Sequence, residues 1–151
     1  MTAASLSESK IAQRIAESFG KQSFMTTLGA TLCHVAAGEV EIALPIAAHV
    51  SQQHGFVHAG AVASIADSAC GYAALTLMPP GAGVLTAEFK INLLAPAAGE
   101  RLIAKGRVVK AGRTLTLAMA EVFAVKDGAT RLCALMTATC MTMISRDGVA
   151  D

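Results

Sequence analysis

The sequence predicts an α+β protein in which one long buried helix lies against a single curved antiparallel sheet of five or six strands. Three observations carry this. Residues 59–78 form a near-continuous run of small and apolar side chains. A series of β-patterned runs follows it. Turn signals at Ala111-Gly112-Arg113 and Asp127-Gly128 separate the last of these runs as hairpins.

The elements follow in chain order. Ser5-Leu6-Ser7-Glu8 fits a capping box, a Ser oxygen at the N-cap and a Glu three residues on. Ile11, Ile15 and Phe19 then recur at helical spacing, and Gly20 is placed to close the helix. Phe24, Met25 and Leu28 predict a second short helical turn ending at Gly29. Thr31 to Val35 and Glu39 to Leu44 predict two strands joined around Ala37-Gly38, with Pro45 ending the second. A polar connector, Ser51-Gln52-Gln53-His54-Gly55, leads into the 59–78 helix, which Pro79-Pro80-Gly81 is expected to stop. Ala87, Phe89, Ile91 and Leu93 alternate with Thr86, Glu88, Lys90 and Asn92, a period of two. Arg101 to Val109, Thr114 to Val125 and Leu132 to Ile144 complete the strands.

The chain has 151 residues, one domain at roughly 100–200 residues per domain. It divides into a helical lead-in over 1–30 and a core over 31–144. Hydrophobic residues make up 54% and charged residues 15%, against a usual charged share of about 25%. So few charges predict that a second copy of the chain covers part of the surface. A net charge of +1 and 4% aromatics without Trp give neither the basic footprint nor the stacking platform of a nucleic-acid binder. The 59–78 run has the length of a membrane span, but Asp67 sits near its centre. Such an Asp costs about 2.5–3.5 kcal/mol on insertion scales, so no membrane partner is expected. Cys33, Cys70, Cys133 and Cys140 form no C-x-x-C pair. They are read as reduced, buried thiols, which together with the absence of a signal-peptide pattern predicts a cytoplasmic protein.

Asp67 is the most informative residue for chemistry. A carboxylate inside a small-residue buried helix is costly unless it is paired, solvated in a cleft or used. Gly60, Ser64, Asp67, Gly71 and Ala74 share one helix face with almost no side-chain bulk. A ligand or a neighbouring subunit can approach such a face closely. The competing assignment is a structural Asp satisfied by Ser64 or Ser68. His58 lies nine residues before Asp67, about half a turn out of phase, so the two cannot form a dyad on one helix face. His58 is read as ordering the helix start. The backbone N–H groups at Ala59-Gly60 can receive a carbonyl oxygen as it becomes negative. Lys90, Arg101, Lys105, Arg107, Lys110 and Arg113 cluster along the chain, and Gly112-Arg113 at a tight turn suits a phosphate. No P-loop, G-x-G-x-x-G, G-x-S-x-G or metal-ligand spacing is present.

The run Gln52-Gln53-His54-Gly55-Phe56-Val57-His58-Ala59-Gly60-Ala61-Val62-Ala63-Ser64-Ile65-Ala66-Asp67 resembles the hotdog-fold acyl-CoA thioesterases of the PaaI (phenylacetate-pathway) type. Their signature is G-x-x-H-G-G with Asp or Glu nine residues after the His. Here Gly55 to Gly60 carries it, with Ala59 in place of the second-motif Gly. A backbone donor survives that change where φ is negative. Leu28 to Pro45, Ala87 to Pro96 and Val109 to Thr114 resemble the family's flanking segments, so the likeness covers nearly the whole chain.

The resemblance implies a hotdog fold, a homodimer with two active sites at its interface, often paired into a dimer of dimers, and no metal or redox cofactor. Asp67 is implied as nucleophile or general base. The N–H of Ala59 from the other subunit polarises the thioester carbonyl, beside His58. Gln52 or Gln53 is implied to place water or the carbonyl, and Thr86 to lie near the acid. Gly60, Ser64, Lys90, Lys110, Gly112, Arg113 and Thr114 are the expected contacts to the acyl-CoA, whose phosphates meet the Gly112-Arg113 turn. Two alternatives stand beside hydrolysis: a non-catalytic acyl-CoA-binding hotdog protein, and an enoyl-CoA hydratase of the same fold.

Overall fold

The computed structural model describes residues 7–144 and 148–149. The lead-in holds α1 (Glu8–Gly20) and α2 (Ser23–Leu28). Next come β1 (Thr31–Ala36), β2 (Glu39–Pro45), a 3-10 turn (Ala48–Val50) and the central α3 (Ala59–Leu75). The chain then runs through β3 (Gly83–Leu93), β4 (Arg101–Lys110), β5 (Leu115–Lys126) and β6 (Ala129–Met143). The six strands form one antiparallel sheet in the order β1-β2-β4-β5-β6-β3. α3 packs on one face of it, and the architecture is the hotdog expected from the sequence.

The core is built from small residues so that helix and sheet approach closely. Ala104, Ala118, Ala120, Ala124, Ala134 and Ala138 line the helix-side face, all buried. Gly106 marks the closest approach: a Cβ there would sit 2.3 Å from the Ala69 carbonyl oxygen. Val40, Ile42, Leu44, Leu102, Val122 and Met136 fill the remaining volume.

Several local features depart from the sequence pattern. The N-cap of α1 is Ser7, with no side-chain capping bond; Ser5 lies outside the described residues. Gly20 is the last helical residue rather than a left-handed terminator, because Lys21 continues in the right-handed region and leads into α2. α3 ends ahead of Pro79, at Leu75. There Arg14 donates to the carbonyls of Leu75, Met78 and Ala82, at 3.4, 3.0 and 2.6 Å. A guanidinium at a helix C-terminus satisfies orphan carbonyls and complements the dipole, and here it also ties α1 to α3. Cys33 is exposed, unlike the three other thiols. The β1–β2 register shifts between Leu32 and His34 on this edge strand, which leaves Cys33 without a cross-strand partner.

The edge strand β3 positions the site. Its alternation is broken by a register shift between Thr86 and Glu88. Thr86 pairs with Cys140 and Phe89 with Ala138, so both sit on the helix-side face; Glu88 pairs with Thr139 on the other. Strict period two would have put Thr86 beside Glu88 and Lys90. The extra residue Ala87 turns it toward α3 instead, a usual service of a bulge. Beyond the bulge α3 does not cover the strand: Phe89 is 48% and Leu93 54% exposed.

Candidate active site

α3 begins with a built cap. His58 is its N-cap in extended conformation, φ −60° and ψ 138°, and its Nδ1 accepts the Gly60 N–H at 2.8 Å. A Cβ on Gly60 would stand 3.0 Å from that nitrogen, which explains a glycine two residues after the His. The Ala61 and Val62 N–H groups turn back to the His58 carbonyl. The Ala59 N–H has no partner among the described residues. Ala59 does not have positive φ, so its amide points as an ordinary first-turn donor. His58 therefore acts as a cap, and its own N–H is held by Val50.

Ala59 lines a cavity of about 560 Å³ with Gln52, Gln53, His58 and apolar walls from Val57, Val62 and the Leu93–Ala97 segment. Within it the Gln52 carboxamide oxygen accepts the His54 N–H, whereas the Gln53 side chain has no hydrogen bond to another described residue.

Asp67 lies in a different cavity, of about 530 Å³, walled by Thr86, Ser68, Gly71, Tyr72, Gly83–Leu85 and the lead-in residues Ser18, Lys21 and Gln22. No residue lines both cavities. Thr86 donates to Asp67 Oδ1 at 2.7 Å. Neither serine proposed as a structural partner serves: Ser64 donates to the Gly60 carbonyl at 2.7 Å and Ser68 to Gln22 Oε1 at 3.4 Å. Of the predicted face, Gly60, Ser64 and Asp67 are open to the surface or partly so, while Gly71 and Ala74 are buried.

Burial pushes the Asp67 carboxyl above the ordinary aspartate range, and the Thr86 hydrogen bond opposes that rise. Beneath it, burial pushes the Cys140 thiol up to about 11, with the Asp67 charge adding to the rise. Cys70 is pushed up by burial too, then by Cys140 and Asp67. Both thiols are protonated at neutral pH and are not nucleophiles. Thr86→Val should therefore move the acid limb of the kcat/KM profile to higher pH, since the bond it removes favours the charged carboxylate. Thr86→Ser should restore the limb. A limb that stays in place in Thr86→Val would separate Thr86 from the carboxylate's titration.

The remaining expected contacts do not converge on either cavity. Lys90 and Lys110 are exposed; their partners Thr137 and Leu117 place them on the sheet face away from α3. Gly112, Arg113 and Thr114 form the exposed β4–β5 turn, where a Cβ on Gly112 would meet the Leu115 carbonyl at 2.3 Å. That turn is at the Asp67 end of the sheet, because Leu115 and Thr116 pair with Met141 and Cys140. Sequence reasoning missed the lead-in wall of the Asp67 cavity. Ser18 extends the Ile11–Ile15 stripe and is buried beside Tyr72 at 3.4 Å, a placement that helix period alone could have suggested. Among the described residues no group of three or more His, Cys, Asp or Glu is placed to hold a metal. No described helix is long and apolar enough to cross a membrane.

Comparison with known proteins places these features. Residues 54–130 match the thioesterase superfamily. A thioesterase family protein from Silicibacter pomeroyi is 50% identical, with a TM-score of 0.88 over 89% of this chain and 99% of that one. A mutant of the phenylacetic acid degradation protein PaaI from Thermus thermophilus is 29% identical, with a TM-score of 0.69 over 80% and 98%. A Halobacterium salinarum protein, provisionally named an esterase, is 30% identical over 110 residues, 70% of this chain and 72% of its own. The chain belongs to the thioesterase superfamily and is a thioester hydrolase of the hotdog, PaaI-like kind.

Proposed function

We propose that the protein is an acyl-CoA thioesterase whose active site is completed by two copies of the chain. One copy gives Asp67 and Thr86, the other the Ala59 N–H. The observation that carries this is their separation. Eight residues along one helix put Asp67 and Ala59 about 12 Å apart, and the two line separate cavities. Between them runs a strip of small residues on α3 and the uncovered apolar residues of β3. A second copy laid antiparallel over that strip brings each acid to the other's amide. It also covers Phe89 and Leu93, exposed apolar area of the kind that marks an interface.

In that arrangement the thioester carbonyl oxygen accepts the Ala59 N–H, which stabilises the negative charge developing on it. Asp67 takes a proton from water as the water oxygen attacks the carbonyl carbon. The C–S bond then breaks, and the proton passes to the departing CoA sulfur. As nucleophile, Asp67 would instead attack the carbonyl carbon, break the C–S bond and release CoA as a mixed anhydride forms, and water would then hydrolyse the anhydride to the carboxylic acid and free Asp67. Either course needs the ionised carboxylate. Gln53, the unengaged amide of the pair, is placed to orient the water or the carbonyl. Arg113 is retained as a phosphate contact from the copy that carries Asp67.

Thiol release from a panel of acyl-CoAs tests the proposal. Steady release with at least one acyl class is expected. Binding of CoA esters without release would favour the non-catalytic alternative, and hydration of an enoyl-CoA the hydratase.

A further inference from the structure

The Ala59 cavity does not end at its apolar walls. It shares Phe56 and Pro96 with a third cleft of about 380 Å³, whose far side is the β5–β6 hairpin. Ala124, Lys126 and Arg131 line it. Ala124 pairs with Arg131 and Lys126 with Ala129, so the two cations share the face of the sheet that bears α3. Among the described residues neither Lys126 nor Arg131 forms an ion pair. Of the nearby acids, Glu100 accepts the Asp127 N–H at 3.1 Å, and neither Glu100 nor Asp127 lines the cleft. Phe56 is 37% exposed at the junction of the two cavities.

This sequence of surfaces has a polarity. A free amide donor stands at one end, an apolar channel follows, and an aromatic face with two cations closes the other. A thioester of CoA has the same order: a carbonyl, a thin pantetheine arm, then a purine with phosphates. We infer that the Phe56–Lys126–Arg131 cleft binds the nucleotide end of CoA, adenine against Phe56 and phosphate on Lys126 and Arg131, in the copy that supplies the Ala59 amide. Bases stack on aromatic faces with little regard to sequence, and an Arg fork with a Lys beside it suits a phosphate. Cys133, two residues along β6 from Arg131, lines the apolar channel. The inference rests on the acyl-CoA reading above and adds a second cationic contact to the one assigned to Arg113.

Two substrates with the same acyl group test it: the CoA thioester and the N-acetylcysteamine thioester, which lacks the nucleotide. The Lys126→Ala/Arg131→Ala variant should raise KM for the CoA thioester roughly tenfold or more, the loss of one strong contact. Its kinetics with the truncated thioester should match wild type. Adenosine 3′,5′-bisphosphate should inhibit CoA-thioester hydrolysis by wild type but not by the double variant. Equal effects on both substrates, or a split in Arg113→Ala alone, would overturn the assignment. Wild-type protein that hydrolyses the truncated thioester but no CoA thioester would overturn the acyl-CoA reading itself, and the cleft assignment with it.

Discussion

Asp67→Asn is expected to lose activity and gain stability. Thiol release should fall by roughly 10²–10⁴-fold, the usual contribution of a positioned acid–base group; loss of a covalent nucleophile would take it at least as far. The stability change has the opposite sign. Burial raises the Asp67 carboxyl above its ordinary range, so the folded state holds that proton more tightly than the unfolded chain. Stability then falls as pH rises through the window between the ordinary aspartate value and the raised one. At neutral pH the folded protein bears the full cost of a partly buried charge. Asn keeps the shape, can still accept from Thr86, and removes that cost. Its melting temperature should exceed wild type at pH 7, with the difference shrinking in acid as wild-type Asp67 protonates. Thermal melts across pH check this. An Asn variant less stable than wild type at neutral pH would mean the carboxylate is a structural anchor, not a strained functional group.

Ala59→Pro is the second large effect. Proline at the first helical position keeps the helix, since its ring matches the local φ and the N–H it lacks is not used inside the helix. His58 already has the extended backbone required before proline. The substitution therefore deletes one hydrogen-bond donor and little else. Loss of a single oxyanion donor costs about 10²–10³ in kcat, and KM should change far less. Unchanged melting temperature with that loss would assign the amide to the transition state. Full activity in Ala59→Pro would remove it.

Much of this was legible in the sequence because it was unusual there. A lone carboxylate within an apolar run is conspicuous in any register, so Asp67 stood out. The helix start at His58 was legible because His58 stands between the polar connector and the small-residue run; that its ring accepts the Gly60 N–H was not. The role of Thr86 could not come from alternation: the Ala87 bulge inverts the phase of β3 in the middle of a run that reads as regular. Likewise Lys126 and Arg131 read as ordinary charges flanking a hairpin. Only the pairing of β5 with β6, together with the fold of the Gln52–His58 loop, brings them near Phe56. The low charge content signals apolar surface left for a second copy to cover, but that Phe89 and Leu93 bear it depends on where α3 ends its coverage, a tertiary fact.

Mixing two inactive variants addresses the central claim most directly. When Asp67→Asn and Ala59→Pro chains are unfolded together, refolded and allowed to re-pair, each mixed dimer should regain one site with both wild-type groups. Random pairing should then restore about a quarter of the wild-type rate, while each variant alone stays inactive. A mixture no more active than its components, in protein shown to have exchanged subunits, would place acid and amide in the same chain and contradict the account.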